Sequence, residues 1–264
     1  MRESLQTLSA LRRTIARIES QRPAEAPRLV ALGHARIDAA LGGGLMAGRL
    51  HEIFAGEAAD ASSAAGFALM LATRLMQGKG AILWLRAEEG EARGGRLHMP
   101  GLAELGFDPG ALILGVLPDT LALLRAAAEA VRCREIGVVV LEIGRKPRAL
   151  DLTASRRLAV AAEKSGVTAL LLRTEAEPAP SAAQTRWAIA AAPSVPLEAN
   201  APGLTMLEAA LLRQRAGIGG LRWRVEWDRD RLCFREPVLS GLVVPLPAGR
   251  PAAAGAGQPL RRTG

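Results

Sequence analysis

The hydrophobic and polar residues in the middle of the chain alternate between two patterns. Short runs rich in Val, Leu and Ile are typical of strands buried on both faces, and they occupy residues 81–85, 111–114, 138–141 and 167–172. Apolar residues three or four positions apart predict helices at about residues 62–77, 119–132 and 151–165. Asp119, directly after Pro118, is the expected N-cap of the second helix. This alternation predicts an α/β fold with a mostly parallel sheet covered by helices.

A period of two replaces this pattern from about residue 185. It predicts antiparallel strands at residues 187–189, 208–215, 221–228 and 231–236. In the third of these strands Trp223, Val225 and Trp227 point to one face, whereas Arg222 and Arg224 point to the other. The three apolar side chains are expected to cover the core. Base stacking by tryptophan beside arginine is the alternative.

Two further segments flank the predicted core of residues 29–236. An apolar stripe predicts an amphipathic helix within residues 1–22, and its members are Leu5, Leu8, Leu11, Ile15 and Ile18. Pro23 and Pro27 separate this helix from the core, so the stripe is expected either to bind a partner or second copy, or to pack on its own core. Residues 245–264, rich in Pro, Ala and Gly, are predicted to be a disordered tail.

The positive net charge of the chain favours an anionic partner. The chain has 264 residues, a net charge of +8 and a sequence pI of about 10.9, as expected of a protein that binds DNA without sequence specificity. Arginine supplies almost all of the positive charge, since Lys79, Lys146 and Lys164 are the only lysines. Arginine suits contacts with phosphate, although a GC-rich genome would also raise the arginine content.

Several other classes are excluded. Cys133 and Cys233 are far apart, which argues against a disulfide framework or a zinc cluster and favours a reducing cytoplasm. No apolar run approaches the roughly 20 residues needed to cross a bilayer. Residues 1–21 are repeatedly charged, unlike a signal peptide. We therefore expect no contact with a membrane.

The segment after the first core strand has the layout of a phosphate-binding loop. An apolar strand pattern runs into a small-residue turn at Gly56 and then into a helical pattern. In a working loop, G-x-x-x-x-G-K-[ST], backbone N–H groups surround the phosphates, the lysine neutralises them and the hydroxyl binds Mg²⁺. If Ser62 is the hydroxyl, Asp60 and Ala61 replace the second glycine and the lysine. If Ser63 is the hydroxyl, Ala61 and Ser62 replace them.

The charges near this turn also oppose nucleotide binding. Glu57 and Asp60 would direct negative charge at a polyphosphate, and no Lys or Arg occurs between Arg49 and Arg74. The partial positive charge of a helix N-terminus contributes only about 0.3–1 kcal/mol at an exposed site, which does not replace a lysine. We therefore expect a degenerate nucleotide site without a resident cofactor or metal, in which ATP with Mg²⁺ is disfavoured.

Short matches along the chain make a family resemblance identifiable. The chain resembles the RecA-like ATPase fold, in the correct order, at residues 37–45, 48–54, 105–114, 117–120 and 137–143. Together with the arginine-rich composition and the altered loop, these matches resemble the ImuA family, RecA-related accessory proteins of the bacterial mutasome. The resemblance covers about residues 29–236.

The resemblance implies a role in translesion DNA synthesis and induced mutagenesis. Family membership would place the chain beside ImuB, an inactive relative of the Y-family polymerases, and an error-prone C-family DNA polymerase. RecA, non-specifically bound DNA and a second copy of the chain are further candidate partners. A weak DNA-stimulated ATPase is one alternative function, and a SulA-like inhibitor of cell division is another.

The resemblance also implies positions for catalytic acids. Glu88 lies where RecA-like enzymes place the glutamate that orients the attacking water, with Glu89 as the alternative register. Glu142 replaces the usual Walker B aspartate, which holds Mg²⁺. These two acids would be vestigial, because the loop lacks its lysine. Structural carboxylates, either solvated or ion-paired, are the competing interpretation, and no efficient ATPase is expected.

Two further positions depart from RecA-like proteins. Arg173 and Thr174 occupy the place of an Asn-Gln pair that senses the γ-phosphate. The segment that follows is short and contains Glu175 and Glu177, which makes it a poor match to a loop that enters DNA. Strand exchange is therefore not expected.

A cationic stretch after the Walker B-like strand is the candidate DNA-binding site. It consists of Arg145, Lys146, Arg148, Arg156 and Arg157. Such residues could position phosphates without reading bases. A solvated start of a helix is the competing interpretation.

Overall fold

The computed structural model describes residues 28–76, 80–145, 147–194, 196–201, 203–215 and 217–237. The predicted N-terminal helix and C-terminal tail lie outside these residues. The strands are β1 Leu29–Val30, β2 Leu45–Met46, β3 Leu50–Ala55, β4 Ala81–Ala87, β5 Leu112–Leu117, β6 Ile136–Gly144, β7 Thr168–Thr174, β8 Thr185–Ala191, β9 Met206–Gln214, β10 Leu221–Asp228 and β11 Cys233–Arg235. The helices are α1 Ala35–Ala40, α2 Ala61–Met76, α3 Glu88–Gly94, α4 Met99–Glu104, α5 Thr120–Ala130 and α6 Leu152–Ser165.

Nine strands form one sheet in the order β5-β4-β6-β7-β3-β8-β9-β10-β11, and β1 and β2 form a small antiparallel ribbon. The strands from β5 to β8 run parallel, whereas β8 to β11 pair antiparallel. The prediction of a mostly parallel sheet with C-terminal antiparallel strands is confirmed. One detail was wrong, because β8 pairs parallel with β3 on one side and only its β9 side is antiparallel.

Within the residues that the structure describes, the predicted helices and strands are present, mostly with small shifts of their ends. Asp119 is the N-cap of α5, where its carboxylate accepts a hydrogen bond of 2.7 Å from the N–H of Ala122. The sequence pattern did not predict α3 and α4. Both helices are short and contain no buried residue, so they lack the apolar stripe on which that prediction depends.

The core lies on both faces of the sheet. On one face α2 packs through small residues and Phe67 against Trp84 and Trp187, while α5 and α6 cover Leu141 and Leu171 on the other. Alanines on α2 allow this helix to approach the strands closely.

The three apolar residues of β10 belong to the core. Trp223, Val225 and Trp227 are buried, and the indole N–H of Trp227 donates to the carbonyl of Leu105 at 2.8 Å. The expected core role is confirmed, and these rings have no free face for stacked bases. On the other face of β10, Arg222 pairs with Glu208.

The carboxyl ends of the parallel strands lie at one edge of the sheet, which is where ligands bind in open α/β folds. This edge holds the turn after β3, the end of β6 and the end of β7. Among the described residues, no helix has the length and apolar character needed to span a bilayer.

Candidate functional site

The turn after β3 is held closed by its own carboxylate. Oδ2 of Asp60 accepts a hydrogen bond of 3.1 Å from the N–H of Glu57, and Oδ1 accepts one of 2.8 Å from the N–H of Ala191. The N–H of Gly56 donates to the carbonyl of Ile189 at 2.7 Å. Asp60 thereby ties the turn both to itself and to the end of β8.

This arrangement does not fit a Mg²⁺-nucleotide. A phosphate-binding loop offers backbone N–H groups and a lysine to the phosphates. Here the Asp60 carboxylate takes an N–H group of the turn, and a Cβ atom on Gly56 would lie 3.0 Å from its Oδ2. Ala61, Ser62 and Ser63 begin α2 and bring no cation.

Glu142 is engaged by two buried donors. It lies opposite Arg86 in the pairing of β6 with β4, and its Oε1 is 2.9 Å from a terminal nitrogen of that guanidinium. Its Oε2 accepts a hydrogen bond of 2.8 Å from the indole N–H of Trp84. The Arg86 side chain also donates to the carbonyls of Gly90, within α3, and Gly95, directly after α3. Both Glu142 oxygens have protein partners in this geometry, which is that of an ion-paired structural carboxylate.

Glu88 lies apart from the turn after β3. It is the first residue of α3, is exposed, and lines an open depression of about 350 Å³ beside β5. The remaining walls are Glu91, Ala92, Gly95, Arg96 and Val116, none of which belongs to the turn. Glu89 lies 3.6 Å from Arg93, one helical turn later. Glu88 and Glu89 follow β4, and β6 and β7 lie between β4 and β3 in the sheet, so these acids lie at a different strand end from the turn that contains Asp60.

The position that would sense the γ-phosphate holds a buried arginine. Arg173 donates to the carbonyl of Ile143 at 3.3 Å and to that of Arg145. Burial lowers the pKa of the Arg173 guanidinium, and Glu52 opposes this effect. Arg173 therefore supports the end of β6 from within the sheet.

A second buried ion pair was not predicted from the sequence. Glu52 of β3 and Arg186 of β8 meet at 2.7 Å, and both side chains are almost completely buried. The Arg186 guanidinium lies 5.3 Å from the centre of the Phe54 ring. A charged residue within an otherwise apolar strand was the available signal, but the partner lies 134 residues away.

The cationic stretch is largely on the surface. Arg148 is exposed, and Arg156 and Arg157 are exposed residues near the start of α6, directly after the buried Ser155. Lys146 lies outside the described residues, as does the whole N-terminal stripe. Arg145 is exposed and lies 3.4 Å from Glu175.

The sequence was compared with known proteins, and no family model matches it. The chain is 32% identical over 219 residues to Protein ImuA of Caulobacter vibrioides, strain NA1000 / CB15N, covering 77% of this chain and 79% of that relative. Protein ImuA from strain ATCC 19089 / CIP 103742 / CB 15 matches with the same values. Among solved structures, the RadB recombinase superposes with a TM-score of 0.53 at 16% identity, covering 79% of this chain and 99% of that chain. The fold is therefore RecA-like, and the chain belongs to the ImuA family.

Proposed function

We propose that this chain is a degenerate RecA-like accessory protein for translesion DNA synthesis and damage-induced mutagenesis, which acts by contacts with protein and DNA. The observation that carries the proposal is the Asp60 carboxylate, which holds the phosphate-loop turn closed in place of an external anion. Membership of the ImuA family supports the connection with mutagenesis.

The partners follow from family membership. An ImuB-like polymerase homologue and an error-prone C-family DNA polymerase are the proposed protein partners, with RecA and a second copy of the chain as further candidates. The proposed contact surface is the N-terminal stripe, which lies outside the described residues. The proposed location is the cytoplasm, at the nucleoid.

Nucleotide binding is tested by titration calorimetry with Mg-ATP. We expect no heat of binding at micromolar concentrations, because the turn has no cation and Asp60 occupies its donors. A variant with Asp60→Gly and Ala61→Lys restores the two missing residue types and is the positive control, for which affinity is expected to rise. A micromolar dissociation constant for the unaltered protein would overturn the proposal that this site is degenerate.

DNA binding is tested by fluorescence anisotropy across a salt series. Affinity should be weak, independent of sequence and steeply dependent on salt, by roughly 0.9 log units per log unit of salt for each duplex phosphate neutralised. Arg156→Ala and Arg157→Ala, made as single substitutions, should each reduce this slope. Arg132→Ala is the matched control, since Arg132 lies just after α5 and already pairs with Glu129 at 2.7 Å. Sequence-selective binding whose affinity does not change with salt concentration would contradict the proposed contact.

A further inference from the structure

The ends of β6 and β7 contain two adjacent strained residues. Arg145 has a φ angle of 46° and Glu175 one of 53°, in the left-handed region that residues other than glycine seldom adopt. The N–H of Arg145 donates to the carbonyl of Thr174 at 2.9 Å, and buried Arg173 donates to the carbonyl of Arg145. These contacts hold the two residues side by side at the edge of the sheet, and such outliers concentrate at functional sites.

One carboxylate at this edge meets two arginines from different segments. Oε2 of Glu175 lies 3.4 Å from Nε of Arg145 and 3.4 Å from a terminal nitrogen of Arg93, on α3. All three side chains remain open to solvent, with exposures of 41% for Glu175, 69% for Arg145 and 33% for Arg93. Arg93 also lies 3.6 Å from Glu89, so it can exchange acidic partners without moving far.

We infer that Glu175 is an internal counter-ion that competes with nucleic-acid phosphate for Arg93 and Arg145. A phosphodiester carries the same single negative charge as a carboxylate and offers similar acceptor oxygens, so it can take the place between the two guanidinium groups. The ligand is the phosphate backbone, because guanidinium groups that pair with a carboxylate in this way present the same donors to phosphate oxygens. This inference rests on the proposed DNA contact and adds Arg93 to it.

The competition has a defined consequence for affinity. While Glu175 is in place, each arginine must give up an ion pair before it can neutralise a phosphate. Without that charge, Arg145 loses the carboxylate that it pairs with, and Arg93 keeps its 3.6 Å contact with Glu89, so both guanidinium groups become more available to phosphate. Each phosphate contact adds roughly 0.9 to the slope of log affinity against log salt concentration on duplex DNA. Affinity should therefore rise, and this slope should become steeper by about the amount that one contact contributes.

The test is Glu175→Gln, measured by anisotropy with single-stranded and duplex oligonucleotides of two unrelated sequences. Glutamine keeps the size and backbone preferences of the side chain. We expect affinity at low salt to rise roughly threefold to tenfold, with a steeper salt slope. Glu163→Gln is the matched control, because it makes the same change in net charge at a carboxylate that also pairs with an arginine. Glu163 lies near the C-terminal end of α6, 2.8 Å from Arg49. Adding Arg93→Ala to Glu175→Gln should reduce the gain in affinity, and adding Arg145→Ala as well should remove most of it.

The outcomes separate this inference from the proposed function. If the unaltered protein binds DNA and Glu175→Gln raises the affinity no more than Glu163→Gln does, the counter-ion role is wrong while the DNA contact stands. If only Glu175→Gln binds, the counter-ion role is supported and DNA binding by the unaltered protein is rejected. If neither protein binds at low salt, both ideas fail. Thermal melting of each variant shows whether the fold is intact.

Discussion

Replacing Glu142 by alanine is the most direct test of whether this residue is a structural acid. The Glu142 side chain is 13% exposed and its partner Arg86 is 3% exposed. In Glu142→Ala, the guanidinium of Arg86 loses its counter-charge and the indole of Trp84 loses its acceptor. A Walker B acid that served only to hold Mg²⁺ would leave no such buried donors behind.

The expected loss of stability follows from these contacts. Removing one partner of a buried ion pair typically costs 3–5 kcal/mol, including the penalty of the unpaired charge. Arg86 keeps its hydrogen bonds to the carbonyls of Gly90 and Gly95, which lowers the penalty. We therefore expect Glu142→Ala to reduce the free energy of unfolding by about 3 kcal/mol. Glu142→Gln keeps an acceptor for only one of the two donors and turns an amide NH2 toward the other, so it should cost about 2 kcal/mol.

Urea unfolding followed by tryptophan fluorescence measures these differences, with Trp84 as a reporter beside the altered residue. The combination of Arg86→Met with Glu142→Leu removes both charges and should recover part of the stability lost in Glu142→Ala, although the indole N–H of Trp84 still lacks its acceptor. A loss below 1 kcal/mol in Glu142→Ala, or a double variant no more stable than the single one, would refute the structural role.

Three further predictions concern other parts of the chain. Burial lowers the pKa of His51 from 6.5 to about 4. Between these pH values the imidazole is protonated in the unfolded chain and neutral in the folded one, so the free energy of unfolding should fall by up to about 3 kcal/mol from pH 6.5 to 4. Urea midpoints at both pH values should show a flatter dependence for His51→Gln, and equal dependence would contradict this. Asp60→Ala should reduce the free energy of unfolding by about 1–2 kcal/mol and speed hydrogen exchange of the Ala191 amide. An unchanged exchange rate would show that Asp60 does not hold the turn to β8. Leu8→Asp with Ile15→Asp should reduce association of the chain with itself or with the polymerase-like partner, as measured by light scattering, and leave the melting temperature nearly unchanged. A large loss of melting temperature with intact association would reject the partner role.

The sheet and its main helices could be predicted because their signal is local. Strands buried on both faces require continuous apolar runs, and α2 requires an apolar stripe, so each pattern indicates its own element. The turn at Gly56 was also visible, since the absence of a lysine is a property of the sequence alone. The short helices α3 and α4 left no such signal, because they bury no residue.

The pairing of buried charges could not be predicted, because it depends on strand order and register. Glu142 and Arg86 are 56 residues apart, and they meet only because β4 and β6 are neighbours with those two residues aligned. Glu52 and Arg186 meet in the same way across β3 and β8. The sequence shows that these charges interrupt apolar strands, which implies partners for them, but it does not identify the partners.

The donors at the carboxyl edge explain why a lysine alone should not restore an ATPase. Asp60 accepts a hydrogen bond from the N–H of Glu57, and Glu142 pairs with the buried Arg86, so both carboxylates already have partners within the protein. The variant with Asp60→Gly and Ala61→Lys frees the turn, but Glu142 remains tied to Arg86 and Glu88 lies in a separate depression. We therefore expect this variant to gain affinity for Mg-ATP without gaining turnover. Phosphate release measured at saturating ATP, with and without DNA, should stay at the level of the unaltered protein, and DNA-stimulated release would show that the remaining acids still support hydrolysis.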